Sequence, residues 1–179
     1  IDRNAANGHD QQWRDQTPII LGGLQPAGTG HHTQQNHVSD ATFLRQVYAA
    51  DVFQHYADTF GRFPLDGIGY HPYPTEIRLS LESVSAPSSL LTLSETTDLI
   101  QTRLDHLRRV LADVGDPQIP FWITEIGFNA ARTPDGARQQ AAVLRQVLPA
   151  LAERPDVAAV FWFKYEDFPP ARGPHAQQW

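Results

Sequence analysis

The chain has 179 residues, 41% hydrophobic and 19% charged, which suits one folded domain with an apolar core and excludes a disordered polymer. A formal net charge of −6 with no Lys/Arg cluster argues against a nucleic-acid partner, and the longest apolar runs, such as residues 157–163, are too short to span a bilayer. With no cysteine there is no disulfide or thiolate chemistry.

Residues 1–17 form a polar lead-in in which Asn7-Gly8 is a turn signal. Pro18 then leads into Ile19-Ile20-Leu21-Gly22-Gly23-Leu24, a short apolar run that suits a buried strand. Residues 25–38 read as a loop. His31, His32 and His37 fall in it, but a Gly/Gln-rich loop gives no settled ligand geometry, so they are read as solvated residues and no metal is expected. Ser39 and Asp40 can cap a helix, after which Phe43, Leu44, Val47, Tyr48 and Val52 share one face. A second strand is expected over residues 66–71, and His71-Pro72-Tyr73-Pro74 must leave it as a rigid loop.

Residues 75–97 form a long Ser-rich loop, a length often associated with function. Ile100, Leu104, Leu107, Leu111 and Val114 make the best helical stripe in the chain, and Gly115 stops it. A third strand is expected over residues 119–126. Ala141, Leu144, Leu148 and Leu151 mark a third helix that Pro149 should kink or shorten. Residues 157–163 form a fourth strand, followed by an aromatic, Pro-rich tail.

Alternating β and α elements with buried strands imply a parallel sheet covered by helices. An open doubly wound sheet and part of a closed barrel both fit. No GxGxxG opens a helix after the first strand, which disfavours a dinucleotide fold. An eight-stranded (β/α)₈ TIM barrel takes roughly 250 residues. Four strands are half of one, so residues 1–179 are expected to be half, the C-terminal half, of a single barrel domain.

In such barrels the chemistry sits where strands end and loops begin. The second strand ends at His71, with Tyr73 just beyond; the third ends at Thr124-Glu125; the fourth passes Trp162 toward Lys164, Glu166 and Asp167. Glu125 is the sharpest signal, because a carboxylate between Ile123 and Ile126 is costly to bury unless well paired. Its alternatives are a structural ion pair and a nucleophile, with Gly127 allowing a ligand to come close. His71 can equally be a packed residue or a ligand contact, and Trp162 can equally fill a core layer. Glu166 and Asp167 read as exposed loop acids.

At these residues a resemblance appears. Trp122-Ile123-Thr124-Glu125-Ile126-Gly127-Phe128 resembles the strand-seven nucleophile motif of clan A glycoside hydrolases, family 39 and family 5 above all. Residues 66–73 resemble their sixth strand, residues 20–24 the fifth and residues 160–164 the eighth, so the similarity runs from Pro18 onward with four motifs in order.

The resemblance implies a retaining glycosidase acting on a polysaccharide, oligosaccharide or glycoside, with Glu125 attacking the anomeric carbon. It also implies that His71 or Tyr73 hydrogen-bonds the nucleophile or the sugar, that Trp162 forms a floor under the sugar, that no cofactor or metal is needed, and that the protein is extracellular or periplasmic. Retention requires a second carboxyl about 5–5.5 Å from the nucleophile. The family's acid/base glutamate follows an asparagine at the end of strand four, and no Asn-Glu pair occurs in this chain. Methionine is absent as well. A fragment is therefore expected, inactive alone, whose partner besides a carbohydrate is the missing N-terminal half of the barrel or another copy of itself. The alternative function is a non-catalytic carbohydrate-binding barrel remnant, with Trp122, Trp162 and Tyr73 as stacking surfaces.

Overall fold

Ser39 starts the first helix by accepting a hydrogen bond from the Thr42 backbone N–H through its Oγ, at 3.1 Å. That contact belongs to a computed structural model that describes residues 17–26, 38–73, 93–128 and 135–163. The described strands are β1 (Ile20–Leu24), β2 (Gly67–Tyr70), β3 (Phe121–Ile126) and β4 (Val157–Trp162). The helices are α1 (Asp40–Ala49), α2 (Asp51–Phe60), α3 (Leu93–Asp113) and α4 (Gly136–Ala152). The expected α/β pattern is present, with one helix more than the periodicity suggested.

The extra helix comes from a break at Ala50, whose backbone is extended at φ −65° and ψ 135°. Gln54 Nε2 donates to the Tyr48 carbonyl at 2.7 Å, so one carbonyl freed by the break finds a partner. Tyr48 is fixed on the inner side, donating to Asp116 Oδ2 at 2.7 Å and meeting Phe63 edge-on. The expected continuous face fails beyond this point. Leu44 and Tyr48 are buried, whereas Phe43 and Val52 are exposed. Gly61, with φ 68°, ends α2 in the left-handed conformation that suits glycine.

The four strands are parallel and follow the order β1-β2-β3-β4. Parallel crossovers are right-handed in nearly all proteins, and with a monotonic strand order that places successive helices on one face. The packing agrees: α1 contacts α3, and α3 contacts α4. A doubly wound sheet needs a reversal of strand order, and none occurs among the described strands.

The core lies between this helix layer and one face of the sheet. Ile68 and Tyr70 of β2 and Phe121 and Ile123 of β3 point into it, against Leu44, Ile100, Leu104, Leu107 and Leu111. The predicted stripe on α3 is thus the centre of the core, and truncating Leu104 to Ala should cost about 2–5 kcal/mol. On α4 the expected Leu151 is buried, but Val143 and Val147 share the buried face with it, whereas the expected Ala141, Leu144 and Leu148 are half-buried. The helix also runs through Pro149 to Ala152. Pro149 removes a bond to the carbonyl of Arg145, but Arg145 is exposed and water can satisfy it. Residues 93–97, expected in the long loop, open α3 instead. The remainder of that loop, the lead-in 1–16, the histidines at 31, 32 and 37, and residues 164–179 lie outside the described residues. Among the described residues no helix is long and apolar enough to cross a membrane.

Candidate functional site at the C-terminal rim

Because the strands are parallel, their C-terminal ends share one rim. His71 N–H donates to the Leu24 carbonyl and Phe163 N–H to the Ile126 carbonyl, both at 2.8 Å, which sets these ends side by side. The residues following the strands are Gln25, His71 to Tyr73, Gly127 and Phe163. Glu125 is the one carboxylate among the described strand residues and those that directly follow them.

The local backbone explains how a carboxylate emerges from an apolar strand. Ile123 pairs with Val160 and Ile126 with Trp162, so Thr124 and Glu125 together stand opposite the single residue Phe161. This is a β-bulge, which shifts the alternation by one residue and re-aims side chains. Regular alternation would send Glu125 to the face of Ile123, into the helix-covered core. The bulge gives that core face to Ile126, which is fully buried, and leaves the Glu125 side chain 31% exposed.

Two side chains from the loop after β2 meet it. The Tyr73 hydroxyl donates to Glu125 Oε2 at 3.0 Å. His71 Nδ1 is buried and stands 3.4 Å from the same oxygen without making a hydrogen bond. The His71 and Tyr73 rings are nearly perpendicular, with centroids 6.5 Å apart. Pro72 between them is buried and fixes its own φ, so the two side chains are presented by a stiff segment. Both contacts fall on Oε2, which keeps the lone pairs of Oε1 for water or a ligand.

Glu125, His71 and Tyr73 are therefore brought together. Trp162 pairs with Ile126, is half-buried and packs against the hydrophobic core. Trp122 pairs with Gly69 and its indole lies over Gly67, with Nε1 buried and unpartnered. The adjacent Thr124 Oγ1 is also buried without a partner. The expected ligand space over Gly127 is occupied, since a β-carbon there would sit 2.1 Å from the Phe163 carbonyl oxygen. Glycine at 127 serves the close passage of the chain leaving β4.

No family model, curated protein or solved structure matches this chain. The chemistry is read from the cluster itself. It offers a half-exposed carboxylate, a phenol that holds one of its oxygens, an imidazole within reach and no charged arginine against it among the described residues. Among those residues no group of His, Asp and Glu could hold a metal ion. A surface depression lies elsewhere, at the N-terminal rim around Arg108, Arg154 and Asp156. Its two arginines are paired: Arg154 reaches Asp156 at 2.8 Å and Asp105 at 2.9 Å, and Arg108 reaches Asp156 at 3.3 Å. Arg108 also donates to the Ile119 carbonyl and lies 4.6 Å from the Phe121 ring centroid. That concavity is an ion-pair network tying α3 to the start of β3 and β4.

Sequence reasoning missed Gly23, which contacts the site through His71. The available signal was a Gly-Gly pair inside a strand, a pattern that marks a bulge or a close approach.

Proposed function

We propose that Glu125 is the nucleophile of a retaining glycoside hydrolase, and that the four-stranded sheet is half of a (β/α)₈ barrel. The observation that carries this reading is the Tyr73–Glu125 hydrogen bond at the C-terminal rim, with His71 beside it. A bond to Oε2 orients the carboxylate and leaves Oε1 free to attack an anomeric carbon. The Glu125–sugar ester that forms is then hydrolysed by water, and the leaving oxygen takes its proton from a second carboxyl group. The resemblance of the four strand motifs to families 39 and 5 supports the same assignment.

The barrel reading rests on monotonic parallel strands with helices in one layer. β1 and β4 each have one neighbour among the described strands, so closing the cylinder takes four more strands. Those strands come from the rest of a longer polypeptide or from a second copy, and they supply the acid/base carboxyl.

One observation favours a second reading. No second carboxylate stands among the described strand residues or those that directly follow them, as a barrel that binds carbohydrate without cleaving it would also show. Glu125→Gln in the assembled barrel separates the two. Loss of glycoside hydrolysis with carbohydrate binding retained supports the nucleophile. Hydrolysis at the original rate rejects it, and binding with no hydrolysis in either form supports the remnant.

A further inference from the structure

The His71 ring lies in space that glycine alone leaves open. A β-carbon built on Gly23 would fall 2.0 Å from His71 Nε2, 2.5 Å from Cε1 and 2.6 Å from Cδ2. Gly22, its neighbour, has nothing within 4 Å. Leu21 pairs with Ile68 and Leu24 with Tyr70, so both glycines stand opposite Gly69 in a second bulge. Neither has positive φ; among the described glycines only Gly61 and Gly115 do. A left-handed backbone therefore does not account for glycine at 22 or 23. At 23 the reason is room.

We propose that Gly23 is a positioning residue for the Glu125 site, its missing side chain seating the His71 imidazole against β1. This rests on the reading of Glu125 as the reacting carboxylate and adds a residue to it. The His71 backbone is tied to the same strand through the Leu24 carbonyl at 2.8 Å. Its ring then has two torsions left, and Nδ1 makes no hydrogen bond that would set them. Packing sets them: Gly23 on one side, Tyr73 and Glu125 on the other. The result is Nδ1 held 3.4 Å from Glu125 Oε2.

An alanine methyl at 23 overlaps a movable ring rather than backbone, so the imidazole swings aside while the strand stays paired. Gly22→Ala enters open space and serves as the control. The seat also makes its own rescue: in a His71→Ala background the methyl at 23 fills vacated volume.

The test uses the full chain with isotope-labelled histidine, the His71 ring signals being assigned by their loss in His71→Gln. Gly23→Ala should move those signals and Gly22→Ala should leave them in place. The Tm loss of Gly23→Ala should shrink or vanish in the His71→Ala background, which also covers the case in which Gly23→Ala alone folds poorly. In the assembled enzyme, Gly23→Ala and His71→Ala should each lower kcat/KM by the same factor, on the order of 10- to 100-fold, and should not add. Unmoved His71 signals in Gly23→Ala, or a Tm loss undiminished by His71→Ala, overturns the proposal. If the ring moves and the rescue works while Glu125→Gln leaves hydrolysis intact, the seat stands and the nucleophile reading fails.

Discussion

Asp40 and Glu125 are two carboxylates that a folding chain places in opposite circumstances. The Asp40 side chain is fully buried, paired with Arg103 through both oxygens, and accepts hydrogen bonds from the Tyr70 hydroxyl at 3.1 Å and the Ala41 N–H at 2.8 Å. Burial first, and then the Asp40 charge, pushes the Tyr70 hydroxyl well above the ordinary tyrosine range, so it remains a donor. Glu125 is 31% exposed, has one hydrogen bond from a neutral phenol and has an imidazole near the same oxygen. Apart from the Ala41 contact within α1, the Asp40 hydrogen bonds lock α1 against α3 and β2. Glu125 is oriented on one side and left open on the other. A carboxylate held for structure is saturated with donors; one that must react with an incoming group cannot be.

Exchanging the roles of the two residues should fail in opposite ways. The largest effect is expected on chemistry. Glu125→Gln in the assembled barrel should lower glycoside turnover by several orders of magnitude, while changing stability by about 1 kcal/mol or less. Turnover assays and denaturant unfolding of the same preparation check both halves of that expectation. Asp40→Ala should do the reverse. It leaves the Arg103 guanidinium buried without its partner, which should cost about 3–5 kcal/mol, with carbohydrate affinity of the surviving folded protein unchanged. A small stability loss would show that the two carboxylates are less different than their surroundings suggest.

Tyr73→Phe sharpens the comparison by removing the only hydrogen bond to Glu125 among the described residues. Losing a donor to a charged group should lower turnover by about 10- to 100-fold and leave the fold intact. Equal activity in Tyr73→Phe would mean that the phenol does not orient the carboxylate.

The smallest effect concerns the ion-pair network at the opposite rim. Burial alone would raise the Asp156 carboxyl, but the hydrogen bonds and charges of Arg154 and Arg108 outweigh it and hold it below the usual range. A carboxyl depressed in the folded state stabilises fully above its unfolded value, about 4, and loses that contribution as pH falls through the folded value. Asp156→Asn should therefore lower Tm at neutral pH and converge with the unsubstituted protein in acid. Parallel curves across the whole range would assign the acid limb to other groups.

The sequence made some of this visible and hid the rest for identifiable reasons. Glu125 stood out because a carboxylate inside Phe-Trp-Ile-Thr-Glu-Ile is anomalous by burial alone. Tyr73 stood out because prolines flank it. The α3 stripe was legible because its period is undisturbed over four turns. The two bulges were not, since a shift in strand register depends on a partner strand: Glu125 faces the rim because of its pairing with β4. Asp40 read as a helix-start residue, but its arginine lies 63 positions away and no local pattern joins them. The break at Ala50 was hidden for a related reason, as Tyr48 is held by Asp116 and Phe63 rather than by its helix neighbours. Gly23 was noticed only as a strand residue, its reason being a ring 48 residues downstream.

The most direct measurement is mass spectrometry of the assembled, hydrolytically active enzyme after treatment with activated 2-deoxy-2-fluoro-β-glycosides, which stall retaining enzymes at the ester stage. The account predicts one added sugar, on the peptide that contains Glu125 and on that carboxyl. A sugar ester on any other residue, in a preparation that still hydrolyses glycosides, would contradict it.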